Sequence, residues 1–285
     1  MSLPNLFLIA APRAGSTQLA RWLDSHPDIS LSGVKEPNHF SAHEFPPDYV
    51  RQTHLNDVPP VGPPTRPAQF AIFRDRTAYQ RLFAPLTIRW RLDASTTYLA
   101  CPEAPAAIRK TCPDARIILL TRDPLERALS HYRLALRTGR TRASLAQEIE
   151  AELSGKRPIA AHYLLRPSRQ SDGVARVRAS FRPDHILHLT FAELTRTPKA
   201  ALCRIAAFLD VSDQFDMTIN ARNASAQPRF PFLNTLFLNT GAKTFVRRVL
   251  PTAWRPFARR LWFRDRKGDI PMAEIDSLRA ALEQG

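Results

Sequence analysis

The chain has 285 residues, 44% apolar and 24% charged, a composition that can bury a core and excludes intrinsic disorder. It carries 41 basic and 26 acidic residues, a formal net charge of +15, and 35 of the 41 basic residues are Arg. The planar guanidinium fork suits phosphate- and sulfate-like oxygens, so an anionic partner is favoured over a cationic one. The three cysteines, Cys101, Cys112 and Cys203, are odd in number and widely spaced, with neither a disulfide framework nor metal-ligand spacing. They point to a reducing compartment, the cytoplasm, and no metal is expected.

In chain order, the first element is the apolar run from Asn5 to Ala10. It has no basic residue before it and is too short to span a bilayer, so it is expected to be a buried strand and not a signal peptide. A helix should follow from Ser16 to Ser25, stopping before Pro27. Between His43 and Pro67 lie seven prolines, which exclude a long helix or a central strand and mark a loop-like insert. Further strands are expected at Ala68 to Phe73, Thr87 to Asp93, Ala115 to Thr121 and His185 to Thr190. Asp123-Pro124-Leu125-Glu126 has the order N-cap, first-turn Pro, first-turn acid, and opens a helix to about Thr138 that stops at Gly139. Ser144-Leu-Ala-Gln147 opens another, ending at Gly155, and Thr197-Pro198 opens a third, to Leu209. Strands alternating with helices predict a three-layer α/β domain, P-loop-like, with a mainly parallel sheet of about five strands.

Residues 1–225 form this domain and residues 226–285 a basic, aromatic flank. Within that flank, Lys243 to Lys267 carries nine basic residues against one acid, interleaved with Phe245, Trp254, Phe257 and Trp262. It reads first as a flank packed on the same domain, and second as a surface for an anionic acceptor, a partner or peripheral contact with a membrane.

Two stretches carry the chemistry. Pro12-Arg13-Ala14-Gly15-Ser16-Thr17 sits between a strand and a helix, where backbone N–H groups and the positive helix end converge on one concavity. Gly15 permits close approach of an anion, Ser16 and Thr17 add hydroxyls, and Arg13 adds charge. An NTP-binding loop of the G-x-x-x-x-G-K-[ST] type would place Gly at Ala10 and Lys at Ser16, so an ordinary kinase is disfavoured, and no dinucleotide fingerprint is present. The second stretch, Leu120-Thr121-Arg122-Asp123-Pro124 to Ser130, puts Arg122 at the end of a strand and Ser130 two helical turns on, where both could hold one phosphate.

These motifs resemble those of the sulfotransferases that use 3′-phosphoadenosine-5′-phosphosulfate (PAPS), over roughly residues 5 to 225. The resemblance implies that Arg13 to Thr17 bind the 5′-phosphosulfate and that Arg122 and Ser130 bind the 3′-phosphate. Lys35-Glu36-Pro37-Asn38-His39-Phe40 is similar to the segment of carbohydrate-type and bacterial members whose Glu is the catalytic base. Glu36 is therefore the first choice of base and His39 the second. Asp93, Ser95 and Tyr98 match a segment that lines the acceptor side, and Tyr163 resembles the Tyr that abuts the adenine. Many members have Lys at the place of Arg13, which here is assigned electrostatic stabilisation rather than acid catalysis. The family's closing segment has no match, and the adenine-covering loop is either supplied by Asn220 to Arg229 or incomplete. The function implied is sulfuryl transfer from PAPS to a hydroxyl or amine of a carbohydrate, lipid or small molecule, without a metal. The alternatives are a P-loop-like nucleotide kinase and a non-enzymatic nucleic-acid-binding protein. The second would explain the charge but not the paired motifs.

Overall fold

A computed structural model of the chain describes residues 3–53, 68–219, 227–228, 263–264 and 270–284. Its centre is a five-stranded parallel sheet in the order β2-β5-β1-β6-β7, formed by β1 Leu6–Ala10, β2 Ile29–Leu31, β5 Trp90–Asp93, β6 Arg116–Thr121 and β7 Ile186–Thr190. The Leu-Phe-Leu-Ile-Ala run of β1 is apolar without alternation because both faces are covered, and all five residues are buried. β1 pairs along its full length with β6, Leu6 opposite Arg116 and Ala10 opposite Leu120. The chain leaves β1 toward one edge of the sheet, at β2, and leaves the neighbouring β6 toward the other, at β7. The crevice beyond the carboxyl ends of β1 and β6 is thus the topological switch point, where ligands of open α/β sheets bind.

The predicted strands lie where expected, with one difference of placement. Ala68–Phe70 (β4) does not join the main sheet but pairs in parallel with Val34–Glu36 (β3) in a separate two-stranded ribbon. Its place at the sheet is taken by β2, three residues long and too short to give a periodic signal. Helix α1 runs from Ser16–Asp24 and α5 from Pro124–Thr138, with the Asp123 carboxylate accepting from the Glu126 N–H at 2.8 Å and Gly139 ending α5 at φ 73°. Helix α6, Leu145–Leu153, opens with the reciprocal Ser144–Gln147 box. Helix α9, Pro198–Leu209, follows the short α8, Phe191–Arg196. Helices α3, Arg76–Arg81, α4, Ala104–Thr111, and α7, Gln170–Ser180, add to the elements expected from sequence.

In the described part of the Pro-rich insert, a 3-10 turn at His39–Glu44 leads into the short helix α2, Pro47–Thr53. Residues 54–67 lie outside the described residues, as do most of the Lys243–Lys267 segment and of the loop expected over the adenine. The terminal helix Met272–Glu283 packs Leu278 and Ala281 into a second core with Leu129, Tyr132 and Ile149 of α5 and α6. Among the described residues, no helix is long and apolar enough to cross a membrane.

Two buried groups of opposite charge, Glu152 and Arg127, shape the segment after α6. Glu152 accepts the backbone N–H groups of Tyr163, Leu164 and Leu165 at 2.6–2.8 Å, while Arg127, with no exposed surface, donates to the carbonyls of Tyr163 and Leu164 and to Ser168. Burial pulls the Arg127 pKa down to about 9 against the supporting charge of Glu152. Replacing Glu152 with Gln turns one acceptor into a donor facing an N–H group. The change is expected to cost about 2 kcal/mol in urea unfolding, and an unchanged midpoint would show that these bonds are not needed.

Candidate active site

The turn after β1 is forced into an unusual backbone path. Arg13 has φ 72° and Gly15 φ 90°, both in the left-handed region. At Gly15 the positive φ favours glycine, and a side chain would also meet Leu194 and Phe191 tightly, at 3.1–3.4 Å. The path aims the N–H groups of Gly15, Ser16 and Thr17 outward at the start of α1, and these groups have no hydrogen-bond partner among the described residues. First-turn donors without partners form an anion cradle.

The second motif closes on the first at the switch point. Arg13 Nε donates to Ser130 Oγ at 3.2 Å, and Arg122 NH1 donates to the carbonyl of Arg13 at 2.9 Å. Residues more than 100 positions apart thus form one continuous cationic wall. The Arg122 guanidinium lies 4.3 Å from the centre of the Phe191 ring. Its Nε is buried without a partner, leaving a donor unspent. Burial, with the charges of Arg137 and Arg122, holds Arg13 below the ordinary guanidinium pKa. Such crowding of positive charge is relieved by an anion. Gln170, absent from the sequence-level candidates, fixes the Arg122 backbone, accepting from its N–H at 3.0 Å and donating to its carbonyl at 2.7 Å. A cavity of about 560 Å³ beside this motif is lined by Arg122, Glu126, Thr190, Phe191 and Arg196.

Glu36 ends β3 with little exposed surface. Lys35 Nζ donates to its Oε1 at 2.7 Å and the Thr96 hydroxyl to its Oε2 at 2.8 Å, so the carboxylate is held in one orientation. Thr96 lines a large cleft of about 710 Å³ that also touches Pro12 of the anion loop. His39 is placed differently. Its Nδ1 bonds the Phe73 carbonyl at 2.8 Å, which makes it the protonated nitrogen, and its ring stacks on Tyr79 at 4.3 Å. Burial lowers its pKa. Neither His39 nor Glu36 lines the cleft directly; Glu36 is joined to it through its hydrogen-bond partner Thr96.

Asp93, Ser95 and Tyr98, expected on the acceptor side, have no exposed surface. Asp93 is a hub: Ser95 Oγ donates to its Oδ1 at 2.7 Å, and the hydroxyls of Tyr79 and Tyr98 donate to its Oδ2 at 2.7 and 3.0 Å. Ser95 in turn accepts from the Asn38 N–H at 3.1 Å. The three residues are therefore buried polar groups that satisfy one another and do not line the cleft. Burial pushes the Asp93 carboxyl up to about 6 from an ordinary 3.8. A raised native pKa favours the folded state fully below about pH 4, and the benefit is lost as pH rises through 6. The stability lost in Asp93→Asn should therefore shrink between pH 4 and pH 6 in urea titrations, and a pH-independent difference would contradict it.

The cleft includes residues that sequence reasoning missed. His131, next to Ser130, accepts from Arg127 at Nδ1 (3.2 Å), which leaves an N–H at Nε2. Burial and the charges of Arg127, Arg140 and Arg13 hold it neutral, well below its ordinary pKa. Arg166 is paired with Glu44 and also bonds the Ala100 carbonyl at 2.8 Å. Tyr163 lines the same cleft, its ring between the His131 edge and the Arg140 guanidinium at 5.2 Å from each. Tyr163 is a candidate from sequence; of His131 and Arg166, only His131 has a local signal, its adjacency to Ser130, because the cleft is assembled from segments distant in sequence.

Comparison with known proteins agrees with this geometry. Residues 4–216 match the profile of the sulfotransferase family. A stretch of 132 residues is 26% identical to mouse heparan sulfate glucosamine 3-O-sulfotransferase 3B1, covering 46% of this chain and 26% of that protein. The chain thus matches only about a quarter of the length of this curated relative. The crystal structure of a sulfotransferase from Alicyclobacillus acidocaldarius superposes with a TM-score of 0.63 at 27% identity, covering 90% of this chain and all of that one. With the profile spanning residues 4–216 and the two sequence motifs meeting at the switch point of the sheet, the protein belongs to the sulfotransferase family.

Proposed function

We propose that the protein transfers a sulfuryl group from PAPS to a hydroxyl or amine of an acceptor held in the large cleft. The observation that carries this reading is the joining of the two motifs, in which Arg13 bonds Ser130 while Arg122 bonds the Arg13 carbonyl. The residues present fit the donor: unpaired amides at Gly15 to Thr17, a buried Arg122 Nε without a partner, and the crowded Arg13 charge. When bound, PAPS supplies the sulfuryl group. The amides of Gly15 to Thr17 hold its 5′-phosphosulfate, and Arg13 stabilises negative charge on the leaving oxygen. Arg122 and Ser130 fix the 3′-phosphate, and Tyr163, on the wall of the large cleft, is the residue assigned to the adenine by the resemblance alone. Glu36 takes the proton of the acceptor as its oxygen or nitrogen attacks sulfur, a step that rests on positioning and charge stabilisation as phosphoryl transfer does. No step requires a metal.

The acceptor class best supported is carbohydrate. Arg140, Arg166, His131 and His162 give the cleft polar and cationic contacts, and Tyr49, Phe45 and Phe70 give it apolar faces. The curated relative is named for sulfation of a glucosamine. A reducing cytoplasmic setting suits the three free cysteines. The test is release of 3′-phosphoadenosine-5′-phosphate from PAPS in the presence of a panel of amino sugars and oligosaccharides. Release dependent on a sugar is expected. Turnover of ATP with Mg²⁺ instead would overturn the reading in favour of a kinase.

A further inference from the structure

Outside the residues assigned to transfer, four side chains with metal-binding chemistry converge beside the cleft. They are His43 and Glu44, at the end of the 3-10 turn after Glu36, and Cys101 and Glu103, at the entry to α4. No spacing rule would find them, because 57 residues separate His43 from Cys101. The expectation from sequence that no His/Cys cluster exists is corrected by the fold, which brings their donor atoms within 4.8 Å of one another.

We propose that His43, Cys101 and Glu103 form a binding site for a tetrahedral, borderline-soft divalent cation, zinc above all, with Glu44 at the fourth corner. The geometry carries this. Cys101 Sγ is 3.8 Å from His43 Nε2 and 3.5 Å from Glu103 Oε2, and His43 Nε2 is 3.2 Å from Glu103 Oε2. Zinc at about 2.3 Å from sulfur and about 2.1 Å from nitrogen and oxygen requires tetrahedral edges of about 3.6, 3.6 and 3.4 Å. The three donors already form such a face.

Charge agrees as well. A thiolate and two carboxylates balance a divalent cation together with Arg166, which grips Glu44. Mixed sulfur, nitrogen and oxygen donors select zinc over magnesium or calcium. A thiol that coordinates a cation gives up its proton to solvent as the bond to the metal forms. His43 and Glu103 are exposed, which leaves an entry path, while Cys101 is buried at the base.

The cation would tie the turn that follows Glu36 to the turn that carries Thr96. Both turns line the acceptor cleft, through Glu44, Thr96, Thr97 and Ala100. It would act as a staple of the acceptor wall, away from the reacting atoms, and the proposal stands independently of the transfer reaction.

The test uses the full chain carrying Cys203→Ser, which removes the exposed thiol, titrated with Co²⁺ as a spectroscopic probe and then with Zn²⁺. The expected result is saturation at one equivalent, with a thiolate-to-cobalt charge-transfer band that Zn²⁺ abolishes. Cys101→Ser should remove the band. The exposed variants His43→Ala and Glu103→Ala, which have little effect on folding, should weaken Zn²⁺ binding at least ~10-fold. Absence of saturable binding, or binding indifferent to His43→Ala and Glu103→Ala, overturns the proposal.

Discussion

Glu36→Gln is expected to lower kcat by roughly 100- to 10,000-fold while leaving the affinity for 3′-phosphoadenosine-5′-phosphate unchanged. The carboxylate is immobilised by Lys35 on one oxygen and Thr96 on the other, and both partners can still bond an amide of the same shape. What the amide cannot do is accept the acceptor's proton. The loss should therefore appear in turnover and not in binding of the nucleotide, whose proposed contacts are the motifs that follow β1 and β6. Single-turnover kinetics beside calorimetry separate the two quantities. If affinity and turnover fell together, the Lys35–Glu36 pair would be a support of the site and not its base.

Arg122→Ala should weaken binding of the same nucleotide by about 10- to 100-fold, because a hydrogen bond to a charged group contributes about 1.5–3 kcal/mol. The side chain bonds the Arg13 carbonyl, stacks on Phe191, pairs with Glu126 at 3.5 Å and keeps a buried Nε with no partner. The first two hold the guanidinium in place before the ligand arrives, so little order is lost on binding. Arg122→Lys should recover only part of the affinity, since an ammonium cannot reproduce the fork or the stack. Equal binding by wild type and Arg122→Ala, measured by calorimetry, would remove the 3′-phosphate assignment.

Much of this architecture can be read from local chemistry. The apolar runs of β1 and β6 declare buried parallel strands, and Asp123, Pro124 and Gly139 mark both ends of α5 with their own side chains and torsions. The anion loop is equally local, since a strand, a glycine with positive φ and a helix start adjoin within eight residues. What escapes sequence reading is set by contacts at long range. β2 is only three residues long and is stabilised by pairing with β5, while β4 looks like a sheet strand but finds its partner in β3. Asp93 looks like a candidate ligand contact until Tyr79 and Tyr98 are seen to close over it. His131, Gln170 and Arg166 carry no motif of their own and acquire a place in the site only through the turns that surround them. The same holds for the His43–Cys101–Glu103 face.

The most direct test is a crystal structure of the protein with 3′-phosphoadenosine-5′-phosphate bound. The 5′-phosphate should lie against the amides of Gly15, Ser16 and Thr17, and the 3′-phosphate against Arg122 and Ser130. A nucleotide that engages one of these places and leaves the other to solvent, or that binds elsewhere on the chain, would contradict a single donor site built at the crevice between β1 and β6.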